Sequence, residues 1–195
     1  MFKKEIIWRE ILERATKEKQ LEFTQKELAA KHGFSLSTVF NALKIPRAQG
    51  AIKVTGKNFS VIDIEKLLYI WATQRNVEKE TIYKTFVPKG AKEMEGLMPS
   101  GIIFGAYSAY SQKYHDAPAE YDKVYVYADE KELAEIKKRF PKMKGKENLF
   151  ILKKDFFEDT FSSITSDAQT FADIWNLGDW YAKEFLNKLK EKILL

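Results

Sequence analysis

The chain contains no cysteine, which excludes disulfide bonds, thiolate zinc sites and catalysis by a thiol nucleophile. It also lacks an apolar run approaching the roughly 20 residues that a membrane-spanning helix needs. The N-terminal residues MFKKEIIWREILER are amphipathic and include acids, unlike a secretory signal. We therefore expect a soluble, cytoplasmic protein without a membrane partner.

The side chains of the common catalytic arrangements are also scarce. The two histidines, His32 and His115, have no carboxylate cluster at metal-ligand spacing around them. No Ser-His-Asp pattern, phosphate-binding loop or glycine-rich dinucleotide fingerprint occurs. Asp122 and Asp129 flank the predicted strand KVYVYA, but a two-metal site needs carboxylates at alternate strand positions, which are missing. We expect no enzyme activity, no metal and no cofactor; a nucleotidyltransferase-like enzyme acting on nucleic acid is the alternative.

Acidic residues are absent from one long stretch. Asp and Glu make up 28 of the 195 residues, yet none occurs from Leu28 to Ile62. The cations in that stretch are Lys31, Lys44, Arg47, Lys53 and Lys57. Residues 1–75 hold 14 Lys and Arg against 8 Asp and Glu, whereas residues 76–195 hold 19 against 20. This asymmetry predicts a first domain that faces nucleic acid.

The same region has the pattern of two helices joined by a short turn. Apolar residues at helical spacing predict a first helix from about Lys3 to Lys17. Thr24, with Glu27 three residues later, has the capping-box pattern for a further helix that stops at Gly33.

Another helix is predicted over Ser35–Ile45, with Pro46 as the residue that ends it. Its expected buried stripe is Leu36, Val39, Ala42 and Leu43. Two alternating runs around Gly56-Lys57-Asn58 predict a hairpin, and a last helix is expected from about Asp63 to Arg75. Together these elements predict a winged helix-turn-helix domain over residues 1–75.

The outward face of the Ser35–Ile45 helix is typical of a recognition helix, because its polar residues can donate hydrogen bonds and none is acidic. We expect Asn41 to contact adenine, and Lys44 and Arg47 to hold phosphates. The predicted DNA-binding residues are Lys31, Ser35, Ser37, Thr38, Asn41, Lys44, Arg47, Lys53, Lys57 and Asn58. A module that binds RNA or protein, or that is only structural, is the alternative.

Beyond residue 75 the pattern changes. Residues 76–99 are polar with scattered Gly and Pro, which predicts a linker. The elements expected after it are a helix in GIIFGAYSAYSQKYHD, strand Tyr121–Ala128, helix Glu130–Phe140, strand Asn148–Lys153 and a helical tail interrupted at Leu177-Gly178. They predict a small C-terminal α/β domain over residues 100–195, which makes the whole chain α+β.

Aromatic residues are concentrated in this second domain. Three tyrosines recur at helical spacing: Tyr107, Tyr110 and Tyr114. The spacing favours a core or a partner interface over stacking on bases. Four aromatic residues near the C-terminus are expected to seat the tail helix on the sheet: Trp175, Trp180, Tyr181 and Phe185.

Three segments together resemble one family. The N-terminal winged-helix segment, GIIFGAYSAYSQKYHDAPAEYDKVYVYAD and SDAQTFADIWNLGDWYAKEFLNKL are similar to the AbiEi-type antitoxins and transcriptional regulators of type IV toxin–antitoxin systems. In that group a small-x-Ala-x-x-x-Tyr helix precedes a strand and a late Gln-x-x-x-Asp-Leu-x-x-x-Gly segment. The late positions correspond here to Gln169, Asp173, Ile174 and Gly178. The resemblance implies DNA binding, autorepression and neutralisation of a nucleotidyltransferase toxin.

The expected function is that of a sequence-specific DNA-binding transcriptional regulator, an antitoxin-like autorepressor that blocks transcription by occupying a promoter. The expected partners are double-stranded DNA and, by the resemblance, a nucleotidyltransferase toxin. A homodimer is left open, because nothing in the sequence determines the oligomeric state.

Overall fold

A computed structural model describes residues 1–155 and 163–194 and has a mixed α+β fold with two small sheets. The chain divides into a first unit, residues Met1–Arg75 with Glu191–Leu195, and a second unit, Asn76–Lys190. In the described ranges, no helix is both long and apolar enough to cross a membrane.

The first unit alternates helices with short strands. Its elements are α1 (Lys3–Lys17), β1 (Glu22–Thr24), α2 (Gln25–His32), α3 (Leu36–Ala48), β2 (Ile52–Thr55), β3 (Asn58–Val61) and α4 (Ile64–Gln74). Strand β3 lies between β1 and β2 and is antiparallel to both. Thr55 pairs with Asn58, so Gly56 and Lys57 alone connect the two strands of the predicted hairpin.

Local capping signals fix the ends of α2 and α3. Thr24 Oγ1 accepts a hydrogen bond from the Glu27 N–H at 3.0 Å, which begins α2. Gly33 ends α2 with a left-handed φ of 61°. Ser35 Oγ then accepts from the Thr38 N–H at 3.2 Å, so α3 begins after a turn of only a few residues.

The predicted end of α3 at Pro46 is wrong, because the helix continues to Ala48. Proline has no N–H, and the carbonyl of Ala42, one turn earlier, therefore loses its usual helical donor. The indole Nε1–H of the buried Trp8 donates to this carbonyl at 2.9 Å. A side chain of α1 thus supplies the hydrogen bond that the proline cannot make.

The second unit is built around a four-stranded sheet. Its elements are α5 (Val77–Glu80), β4 (Thr81–Thr85), α6 (Ala91–Gly96), β5 (Ile103–Gly105), α7 (Ala106–Tyr114), β6 (Val124–Ala128), α8 (Glu130–Arg139), β7 (Leu149–Lys153), α9 (Asp167–Trp175) and most of α10 (Ala182–Leu194). The last residues of α10, from Glu191 onward, belong to the first unit. The strand order is β4-β7-β6-β5, with β6 and β7 parallel and the other pairs antiparallel. The expected linker 76–99 therefore carries two helices and an edge strand of this sheet.

Helices pack on both faces of this sheet. On one face, Val126 and Ile151 meet Met94 of α6 and Ile136 of α8 in the core. On the other face the aromatic core is centred on Tyr107, whose ring lies 4.8 Å from Tyr181 and 4.9 Å from Phe185. The tyrosine spacing thus marks a core face, as expected.

Two predictions in the second unit need correction. The segment GIIFGAYSAY is not helical throughout, since Ile103–Gly105 forms β5 and the helix begins at Ala106. Gly105 suits that strand because a Cβ there would lie 2.9 Å from Cε2 of Tyr127. Trp180 does not seat the tail helix on the sheet, because it is 81% exposed, and Trp175 is also exposed.

Candidate nucleic-acid interface

Helix α3 turns one face inward and leaves the opposite face exposed. Its buried residues are Val39, Ala42, Leu43 and Pro46. At about 3.6 residues per turn, Ser37, Asn41 and Lys44 lie on the side opposite this stripe. All three are exposed. The helix therefore presents an amide and an ammonium group to solvent, side by side.

The hydroxyl groups at the start of α3 are engaged with one another. Ser35 Oγ lies 2.9 Å from Ser37 Oγ and 2.9 Å from Thr38 Oγ1. Ser35 is also the N-cap, so its first role is to fix the helix end. The half-buried Thr38 is less accessible than Ser37.

Four exposed cations of α3 and the hairpin form a group that we call the basic set: Lys44, Arg47, Lys53 and Lys57. Within the part of the chain that the structure describes, no member of the basic set forms an ion pair. Lys53 lies on β2 opposite Ser60, and Lys57 lies in the hairpin turn. Asn58 begins β3 beside that turn and is exposed.

Lys31 differs from the basic set. Its Nζ lies 2.6 Å from Oε1 of Glu10, a buried carboxylate of α1. The segment Leu28–Ile62 contains no acid, but in the folded structure Glu10 of α1 lies beside Lys31 of α2. This ion pair compensates the charge of Lys31 and links α2 to α1.

Two large apolar side chains are exposed on α3. Leu36, which we expected to be buried, is 55% exposed, and Phe40 is 48% exposed. They are four residues apart, so they share one flank of the helix. The Lys44 ammonium lies 5.4 Å from the centre of the Phe40 ring. The four-residue spacing of Leu36 and Phe40 is the sequence feature that indicates a shared apolar flank of the helix.

The histidines and strand-flanking acids lie in separate structural positions. Among the described residues, no group of three or more His, Cys, Asp or Glu is arranged to hold a metal ion. Asp129 caps α8, accepting from the Glu132 N–H at 2.8 Å, and Asp122 accepts from the Tyr181 hydroxyl at 2.7 Å. His32 is buried near Glu10, whereas His115 ends α7.

Comparison of the chain with protein-family models, with curated proteins and with solved structures found no match. The resemblance to the AbiEi-type antitoxins stays a prediction. Any function given to the exposed face of α3 therefore depends on the chemistry of its own residues.

Proposed function

We propose that this protein is a sequence-specific DNA-binding transcriptional regulator and that its first unit is a winged helix-turn-helix. The order of elements supports this proposal. Helices α2 and α3 are joined by a short turn, and the β2–β3 hairpin follows directly. In helix-turn-helix proteins the second helix lies in the major groove, and here that helix is α3.

The observation that carries the proposal is the basic set, four exposed cations without an ion pair among the described residues. An isolated surface cation is ordinary, but these four lie in a stretch that lacks acids altogether. DNA carries closely spaced phosphates, and cations that neutralise them release condensed counterions. Four such contacts give a slope of about −3.6 in a plot of log affinity against log salt.

Base recognition in this proposal belongs to the outward face of α3. The Asn41 amide can form two hydrogen bonds with adenine in the major groove. Leu36 and Phe40 can contact thymine methyl groups, which are the apolar features of that groove. Lys44 and Arg47 extend from the same helix toward phosphates, which fix its register on the duplex.

Lys31 takes a different role. Its ion pair with Glu10 compensates its charge, so we propose that it positions α2 rather than neutralising a phosphate. The Ser35 hydroxyl likewise caps α3 and does not need to reach DNA.

Salt-dependent titration of the full chain on duplex DNA, measured by fluorescence anisotropy, tests the proposal. Lys57→Gln should make the plot of log affinity against log salt shallower, reducing the magnitude of its slope by about one, because one phosphate contact is lost. Lys131→Gln is the matched control, since Lys131 is an exposed lysine of the second unit. Wild-type affinity that stays flat as salt rises would reject the proposal.

A second candidate is protein binding by the same helix. The exposed Leu36 and Phe40 favour it, because exposed apolar side chains often anchor protein interfaces. Competition with structured RNA tests a further alternative, RNA binding: RNA should displace a labelled duplex much less well than unlabelled duplex does, and equal displacement would mean that the module prefers neither nucleic acid. Absence of duplex binding by a folded protein would favour the protein partner.

The resemblance extends the proposal to an antitoxin-like autorepressor. In that case the protein binds its own promoter and neutralises a nucleotidyltransferase toxin. Expression of the neighbouring gene, alone and together with this chain, tests the extension. Growth arrest that this chain relieves would support it, and a neighbouring gene without any effect on growth would remove the toxin from the proposal.

A further inference from the structure

The second unit contains an open groove of about 590 Å³ on the β4–β7 half of its sheet. Pockets of a few hundred to a thousand Å³ are the usual size for small ligands. Helices α7 and α9 contact β5 or β6, at the other half of the sheet. The groove is walled by α5, β4 and the residues that follow α9.

The floor of the groove is aromatic. Phe150 and Tyr125 occupy paired positions on β7 and β6, and their rings stack at 4.6 Å with an angle of 10°. Ile82 of β4 adds an apolar side chain that is 42% exposed. Leu177 also lines the groove. The Lys123 ammonium lies 5.9 Å from the centre of the Phe150 ring. The groove therefore combines apolar side chains with a cation beside an aromatic ring.

The charged residues of the groove are mainly cationic, three lysines and one acid. Lys123 is already paired with Asp179. Lys142 donates one hydrogen bond to the main-chain carbonyl of Lys84 and forms no ion pair with a described residue. The Lys84 ammonium forms no ion pair within residues 1–155 and 163–194. One acid, Glu78, lines the end of the groove.

We propose that this groove binds a small aromatic anion, a planar ring that carries a phosphate or a carboxylate. The ring lies against Phe150 and Ile82, and the anionic group contacts Lys84 and Lys142. Charge complementarity selects the anion, because Lys84 and Lys142 lack a carboxylate partner in the described structure while Lys123 has one. The site is separate from α3 and does not depend on DNA binding.

Isothermal titration calorimetry on the full chain tests the site with two matched pairs of probes. Phenyl phosphate is compared with phenol, and benzoate with benzamide, so that the members of each pair share the ring and differ in the anionic group. We expect the anionic member of at least one pair to bind about tenfold more tightly, the effect of one charge-assisted hydrogen bond. A preference confined to one pair identifies phosphate or carboxylate as the anionic group.

Variants connect the preference to the groove. Lys84→Gln removes one ammonium but keeps the carbonyl that accepts from Lys142, and it should reduce the preference for the anion. The double substitution Lys84→Gln and Lys142→Gln should abolish that preference. Lys153→Gln, on an exposed residue of β7 outside the groove, should retain it. Phe150→Leu should weaken every ring probe about threefold, because the aromatic surface is lost.

Three results would overturn the inference: no binding of any of the four probes at about 1 mM, equal affinity for charged and neutral probes, or a preference that survives the double substitution of Lys84 and Lys142. No DNA is present in the assay. Its failure would therefore leave the proposed DNA binding untouched, and loss of DNA binding would leave the groove to be judged by calorimetry alone.

Discussion

Replacing Trp8 with phenylalanine tests why α3 can continue through a proline. The indole N–H donates to the Ala42 carbonyl at 2.9 Å, and Pro46 has no N–H to offer it. Trp8 is fully buried and Ala42 is nearly so. Trp8→Phe keeps an aromatic ring but removes the donor. A buried carbonyl that loses its hydrogen bond costs about 1–3 kcal/mol of folding free energy.

The smaller phenylalanine ring also leaves a cavity, so a second substitution must separate the two effects. Pro46→Ala restores a main-chain N–H one turn after Ala42, and the helix can then satisfy that carbonyl itself. We therefore expect Trp8→Phe to cost about 1–2 kcal/mol less in the Pro46→Ala background than in the wild type. The cavity term is the same in both backgrounds and cancels.

Urea denaturation of the full chain, followed by circular dichroism, measures the four free energies of unfolding. Trp71→Phe is the matched control, because Trp71 is equally buried but donates to Glu5 Oε1 at 3.3 Å. It should cost the same in both backgrounds. An equal cost of Trp8→Phe in both backgrounds would refute the explanation, since the indole would then have no part in tolerating Pro46.

Three further predictions address individual residues. Asn41→Ala should cost about 1–3 kcal/mol of binding free energy on a cognate duplex and little on a scrambled one, as measured by anisotropy titration. Lys57→Ala should weaken binding to both duplexes alike. Equal losses on the two duplexes for Asn41→Ala would exclude base recognition by Asn41. Burial raises the pKa of Glu13 above the ordinary value of 4.5. At a pH above the raised pKa, the buried carboxylate is ionised and destabilises the folded state. At a pH below 4.5 the group is protonated in both the folded and the unfolded state, so this destabilisation disappears. Glu13→Gln should therefore raise the melting temperature at neutral pH only, and an equal rise in acid would contradict this. Gly105→Ala should destabilise the second unit by about 1–3 kcal/mol. The new Cβ at position 105 would lie 2.9 Å from the Tyr127 ring. Thermal melts measure the loss, with Gly178→Ala as the control, because a Cβ at position 178 would have no atom within 4 Å.

The sequence predicts best the features that neighbouring residues determine. Helix α1 has the predicted bounds, Lys3–Lys17, because its apolar residues repeat at helical spacing. Thr24 and Ser35 begin helices as expected, since a cap bonds to a main-chain N–H only three residues away. Glycine in the left-handed conformation ends α2 at Gly33 for an equally local reason.

Features that depend on distant partners were missed. Trp8 donates to the carbonyl that Pro46 leaves without a helical donor, and it lies 34 residues before that carbonyl in the chain. Strand β4 was taken for part of a linker because TIYKT is short, and its partner β7 follows much later, as the pairing of Thr81 with Leu152 shows. Exposure of Trp180 was missed because aromatic character indicates burial only on average.

The charge of the candidate DNA surface illustrates the same difference between sequence and space. A stretch without acids guarantees only that its nearest neighbours along the chain are not acidic. Glu10, which lies 21 residues before Lys31, reaches it across the α1–α2 contact and compensates its charge. The basic set has no such partner in the described residues. The cations available to bind DNA under the proposal therefore lie on α3 and the hairpin, and α2 packs against α3.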